Sequence, residues 1–306
     1  MSELAHPHPG ALARFATYAS VSVATILLLA KGWTYLHSGS VALLSSVADS
    51  ALDLLASGLN LMAVRYALSP ADEQHRFGHG KAEPLSALAQ AAFMAGSGVL
   101  VIVQAVSRFH ADAPVGDVTG GVAVMSLSIV LTTVLVVFQR YVVARTESLA
   151  IGADAMHYAG DVLMNLSVIA ALLLSSRFGL TWADPVFGIA ISIFVVVSAA
   201  IIARRGIDAL MDRELPISDR EQILAIAKQH PKVRHVHELR TRASGAQKFV
   251  QMHLVMDQGL SLLEAHRISD DVEKAIDALY PGADIIIHED PDDIAEFHPP
   301  VGDALH

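Results

Sequence analysis

Six stretches of this chain are each long and apolar enough to cross a lipid bilayer, and no other feature constrains the fold as tightly. A bilayer core about 30 Å thick needs about 20 residues of helix per crossing. Stretches of that length lie near residues 13–36, 41–66, 84–108, 118–141, 149–176 and 185–209. The breaks between them carry turn chemistry, as in Ser38-Gly39-Ser40, the polar run from Ser69 to Lys81, Pro114-Val115-Gly116 and Asp184-Pro185. With 53% hydrophobic and 17% charged residues and a mean hydropathy of +0.46, the chain is too apolar for an ordinary water-soluble protein. No basic region precedes the first apolar run, so that run is expected to be a retained span and not a cleaved leader.

An even number of crossings places both termini on one side. The loops after spans two and four hold Arg65, Arg76, Lys81, Arg140 and Arg145, and Arg204, Arg205 and Arg213 follow span six. The opposite loops offer mainly Arg108 and Arg177. The positive-inside rule therefore expects both termini in the cytoplasm. Lys31, near the outer end of span one, runs against this bias and is expected to snorkel to the interface.

The last third has a different texture. Residues 211–306 carry 10 Lys/Arg against 18 Asp/Glu, whereas residues 1–210 carry 11 against 13, so most of the net charge of −10 lies after the last span. A nucleic-acid partner is not expected of such a chain. Ser218 to Gln229 has helical periodicity, and His235–Thr241 and Lys248–Met256 alternate like strands around Ser244-Gly245-Ala246. Leu260 to Leu279 is amphipathic, and Ala283 to His288 is a short apolar strand. The order αββαβ fits a small α+β domain of ferredoxin-like type, with two helices on one face of three strands. The expected organisation is a tail at 1–12, a six-helix membrane domain at 13–210, a soluble domain at 211–291 and a disordered tail at 292–306.

Two carboxylates, Asp49 and Asp53, fall in the middle of span two, and their i, i+4 spacing puts them on one face. An ionised side chain at the bilayer centre costs about 2.5 to 3.5 kcal/mol even on lenient scales. Span five repeats the device with His157 and Asp161. Facing each other, the two helices offer three carboxylates and an imidazole. Such a set makes a tetrahedral site for a divalent first-row metal, Zn²⁺ foremost, with Fe²⁺, Mn²⁺, Co²⁺ and the larger Cd²⁺ as competitors. With no cysteine in the chain, thiolate sites are excluded. Without metal the desolvated carboxylates favour proton uptake, and metal binding expels those protons, which is the thermodynamic core of an antiporter. The bland alternative is a set of polar residues that hold helices together by hydrogen bonds. Asp154, near the start of span five, is a weaker candidate, since a carboxylate there also suits a helix N-terminus.

Two further groups have ligand chemistry. Asp72, His75 and His79, in the loop between spans two and three, are spaced to surround one metal, although such residues are also common in hydrated loops. In the soluble domain, His237 and His253 lie on the two hairpin strands, His266 on the second helix, and His288 and Asp290 at the end of the last strand. A lone strand histidine is more often structural than a ligand, but several gathered by one small fold point to metal. His230 and His235 flank this group and suit the surface, while His298 and His306 fall in the tail.

At these residues the chain resembles the cation diffusion facilitator family, specifically its bacterial zinc and ferrous-iron efflux branch. The resemblance rests on DSALD at 49–53, HYAGD at 157–161, the loop from Ser69 to Glu83 and the histidine-rich α+β domain, and it runs from about residue 13 to about 291. It implies a transport site at Asp49, Asp53, His157 and Asp161, a second metal site at Asp72, His75 and His79, and a cytoplasmic cluster of two metal ions bridged by Asp290. It also implies a homodimer in the bacterial inner membrane, joined largely through the cytoplasmic domain, that exchanges cytosolic divalent metal for protons by alternating access. Lys81 and Asp212 resemble an ion-pair interlock between the membrane part and the tail. Zinc-selective branches often carry histidine where this chain has Asp49, so broader selectivity is implied. Glu289 stands where an amide is common and adds charge there.

An enzyme is not expected. His237-Glu238 is not followed by a second zincin histidine, and no GxxxxGK loop is present, so metalloprotease and ATP-driven pump lack their chemistry. The remaining rivals are a membrane metal sensor and a passive metal facilitator without proton coupling.

Overall fold

Each apolar stretch forms a helix, because only helices and closed barrels satisfy every backbone polar group inside lipid. The computed structural model describes residues 9–38, 41–108, 119–180 and 182–292. The chain divides into two units, Met1–Leu210 and Met211–His306. In the first, α1 (Pro9–Ser38), α2 (Val41–Ala67), α3 (Ala82–Arg108), α4 (Thr119–Thr146), α5 (Leu149–Phe178) and α6 (Ala183–Leu210) correspond to the six expected spans. Among the described residues, these six are long and apolar enough to cross a membrane.

Helix ends follow local chemistry. The Ser148 side chain accepts from the Ile151 N–H at the start of α5, and Gly179, at φ 66°, closes the helix by donating to the carbonyls of Leu174 and Ser175. Helix α1 starts at Pro9, inside the stretch expected as a tail, since proline suits a first helical position and Leu12 and Ala13 pack into a cluster with Val64, Leu68 and Val142. The same cluster, with Ala150 and Ile151, carries α4 past its expected end at 141. Residues 1–8 and 293–306 lie outside the described residues.

Small residues set the closest approaches. A Cβ on Gly206 of α6 would stand 3.2 Å from the Pro84 carbonyl oxygen and 3.0 Å from Leu88 of α3, so only glycine admits this contact without a shift.

The second unit is an αββαβ fold: α7 (Ile217–Gln229), β1 (His235–Ser244), β2 (Gln247–Met256), α8 (Leu262–Leu279) and β3 (Asp284–Pro291). The sheet order is β1-β2-β3. A tight turn with Gly245 at φ 60° joins β1 and β2 antiparallel, and α8 crosses over to set β3 parallel to β2. Ile223 and Ala227 of α7 and Ile268, Val272 and Ile276 of α8 form one core with Val236, Met252 and Leu254 of the sheet. The opposite sheet face carries the histidines and other polar residues beside the exposed Ile286. The register places His237 against His253 and His253 against His288, a row of three imidazoles across the strands.

Candidate functional site

Among the described residues, three groups bring together ligand atoms that all lie within 4.8 Å of one another: Asp53, His157 and Asp161; Asp72, His75 and His79; and His237, His253 and Asp290.

The first sits between two membrane helices. His157 Nε2 of α5 lies 3.1 Å from Asp53 Oδ1 of α2 and 3.8 Å from Asp161 Oδ2, one turn along α5. Tetrahedral ligands about 2.0 to 2.1 Å from Zn²⁺ stand roughly 3.3 to 3.5 Å apart, so the two separations bracket a metal-sized gap. Asp49, one turn before Asp53 on α2, is exposed and not part of this trio. Next to the trio, the Tyr158 hydroxyl of α5 and Ser57 Oγ of α2 share a buried hydrogen bond of 2.8 Å that fixes the register of the two helices.

Sequence reading missed much of the polar packing around this trio. Lys31 does not snorkel outward: its Nζ donates to Ser50 Oγ at 2.7 Å, beside Asp49. Asp154 is no simple helix-end residue either. It is 1% exposed, and its Oδ2 accepts from Ser20 Oγ and Gln139 Nε2, both at 2.6 Å, which ties α1 and α4 to α5. Glu83 of α3 is likewise buried and accepts from Ser148 Oγ at 2.7 Å, at the start of α5.

In the loop, Asp72 faces both histidines, with Oδ1 3.2 Å from His75 Nδ1 and Oδ2 3.2 Å from His79 Nε2. Backbone N–H groups of His75 and Gln74 donate to the Asp72 carboxylate at 2.6 and 2.9 Å. These bonds, that of His75 foremost, hold it below the usual carboxylate range. His79 is buried, 3.0 Å from Ser69 Oγ by its Nδ1, so its ring orientation is set from behind while Nε2 turns to Asp72.

In the C-terminal unit, Asp290 Oδ2 lies 2.8 Å from His253 Nδ1 and 3.1 Å from His237 Nε2, and its Oδ1 lies 3.3 Å from His288 Nε2. One carboxylate thus touches three imidazoles, the arrangement a bridging ligand needs. A cavity of about 240 Å³ lined by Glu238, Arg240, His253 and His288 opens beside it. Glu238, which sequence reading overlooked, stands 3.8 Å from His253 Nε2 because a bulge after His237 and a φ of 49° turn it to this face. Glu289 adds no charge here: it points to the helical face and accepts from Ser269 Oγ at 2.8 Å. His266 is 65% exposed on α8 beside Asp270 at 3.7 Å, away from the cluster within one chain. Of the expected interlock pair, Lys81 donates to the Leu210 carbonyl at 3.2 Å, and Asp212 Oδ1 lies 3.3 Å from Arg242 Nη1.

The cation efflux transmembrane domain family matches residues 17–211, and the cytoplasmic domain of cation efflux proteins matches residues 215–292. The chain belongs to the cation efflux family. A cation-efflux pump FieF of Serratia proteamaculans is 41% identical over 285 residues, covering 93% of this chain and 95% of that one. Its counterpart in Cronobacter sakazakii is 43% identical over 282 residues, with 92% and 94% covered. Among solved structures, the metal-bound C-terminal domain of the CzcD transporter from Thermotoga maritima is 25% identical and covers 26% of this chain and 94% of its own, with a TM-score of 0.25. As a cation efflux protein the chain is a multi-pass membrane transporter of divalent metal cations and not an enzyme.

Proposed function

We propose that this chain exports divalent metal ions from the cytoplasm across the bacterial inner membrane in exchange for protons, by alternating access. Zn²⁺ is the foremost cargo, with Fe²⁺, Cd²⁺, Co²⁺ and Mn²⁺ also accommodated by a site of oxygen and imidazole donors. The observation that carries this reading is the convergence of Asp53, His157 and Asp161 from two membrane helices at metal-ligand separations. Asp49, one turn away on α2, supplies the fourth ligand when the site closes on metal. Acidic groups held in lipid are neutralised either by metal or by protons, so each ligand expels the other. The similarity to cation-efflux pumps supports the direction of transport.

The chain works as a homodimer with both termini in the cytoplasm. Asp72, His75 and His79 form a loop site that hands metal to the membrane, and the cluster at His237, His253, His288 and Asp290 binds metal as a regulatory ligand. Purified protein in liposomes, followed for Zn²⁺ movement and internal pH together, tests the reading. Native protein is expected to show saturable Zn²⁺ flux with opposite proton movement, and Asp53→Ala to abolish both. Flux with no proton signal would make the chain a facilitator, and binding without flux would make it a sensor.

A further inference from the structure

Lys31 is a charged group of α1 that contacts the transport helix α2 and has no role in the proposed function. It lies on α1, about 10 Å along the helix from the Ser38 end, and its ammonium turns inward to Ser50 Oγ at 2.7 Å. Ser50 is 1% exposed and adjoins Asp49 in sequence. A serine hydroxyl is a neutral acceptor and cannot balance a full charge held away from water. The balancing charge has to come from carboxylates, and Asp49 is the residue next to Ser50.

We propose that Lys31 is a fixed internal cation of the transport site, anchored by Ser50, which limits how tightly the site holds a divalent ion. This inference rests on the transport reading of Asp49, Asp53, His157 and Asp161. Three carboxylates and a neutral imidazole around one divalent ion leave a single negative charge, and the ammonium brings the loaded site to neutrality. Net charge is what a low-dielectric surrounding penalises most. Without Lys31 the same donors attract the metal more strongly and release it more slowly. An antiporter whose cargo must leave at every cycle gains turnover from this restraint.

Full-length protein in zinc-loaded liposomes provides the test, with KM and kcat measured for the native chain, Lys31→Gln, Lys31→Arg and Asp53→Ala. Glutamine keeps a donor for Ser50 and removes the charge alone. A unit charge about 10 Å from a divalent ion at an effective dielectric near 20 changes an equilibrium constant by on the order of a hundredfold. Lys31→Gln is therefore expected to lower KM by about tenfold to a hundredfold and to lower kcat with it, while Lys31→Arg stays within about threefold of native. General damage to the bundle would raise KM, so the sign of the change separates charge from packing. An unchanged or raised KM in a Lys31→Gln protein that elutes like native overturns the proposal. Should glutamine prevent insertion, Lys31→Met is read in the same way. If Asp53→Ala transports normally, the site assignment itself fails, whereas a dead Asp53→Ala beside a silent Lys31→Gln removes only the role of Lys31.

Discussion

Removal of the Tyr158 hydroxyl tests whether α2 and α5 are pinned to each other next to the transport trio. Tyr158 is 1% exposed, and its hydroxyl meets Ser57 Oγ at 2.8 Å. Asp53 lies one turn before Ser57 on α2, and His157 precedes Tyr158 on α5, so this bond sets the offset that brings Asp53 to His157. Tyr158→Phe preserves the ring and its packing and strands one buried hydroxyl. Leaving a buried polar partner unsatisfied costs about 1 to 3 kcal/mol. Ser57 has a local remedy, since a helical serine can turn back to the carbonyl four residues earlier, here Asp53, so the cost falls near about 1 kcal/mol. Ser57→Ala alone strands the phenol, which has no such remedy and costs about 2 kcal/mol. The double variant removes both groups and costs less than the sum of the two, with a coupling of about 1 kcal/mol. Thermal unfolding in detergent reads the stability cycle, and KM for Zn²⁺ flux reads the site. KM is expected to rise several-fold in each single variant. Additive costs, or single variants with native stability and KM, would refute the view that this bond sets the geometry of the site.

Asp290→Asn keeps the shape of the bridging residue but loses its charge, so metal affinity of the C-terminal cluster is expected to fall at least tenfold, as measured by metal analysis after gel filtration. Unchanged metal content would remove Asp290 from the bridge. The loop site is expected to lose metal as pH falls, while Asp72 is still ionised. The sign follows from Asp72. Its backbone hydrogen bonds depress its titration, so it stays ionised as pH falls to the usual carboxylate range, and its ordering contribution is lost only below that range. Zinc titration of the full chain carrying Asp53→Ala and Asp290→Asn, repeated at several pH values, locates the midpoint. A midpoint below the usual carboxylate range would show that the carboxylate controls the site.

The membrane helices were legible because length and apolarity alone decide them. Their rotations were not. Helices that are apolar on every side carry no moment to say which face turns inward, so the joining of Ser20, Gln139 and Asp154 from three helices had no sequence signal. The inward turn of Lys31 was hidden for the same reason. In the C-terminal unit the strand pattern was strong, and the turn at Gly245 sets the register that aligns His237, His253 and His288. The bulge that swings Glu238 to the cluster depends on one left-handed residue with no glycine to announce it. His266 is placed by the amphipathic pattern of α8: with Ile268, Val272 and Ile276 turned to the core, position 266 falls on the opposite side.

The three ligand groups differ in what surrounds them, and that difference orders them for transport under the proposed function. Asp72 and His75 are exposed, so metal there trades water for ligands at little desolvation cost and exchanges quickly. Asp53 and His157 are largely withdrawn from water, where a bound ion is strongly held and an empty site is strongly penalised. A carrier needs this second property, because neither the metal-free nor the charged site is tolerated without a replacement ion. It also needs a brake on affinity, which a nearby fixed ammonium provides without occupying a ligand position. The C-terminal cluster faces no such demand. Its carboxylate touches three imidazoles on a rigid sheet, a geometry that favours retention over exchange and suits sensing better than passage.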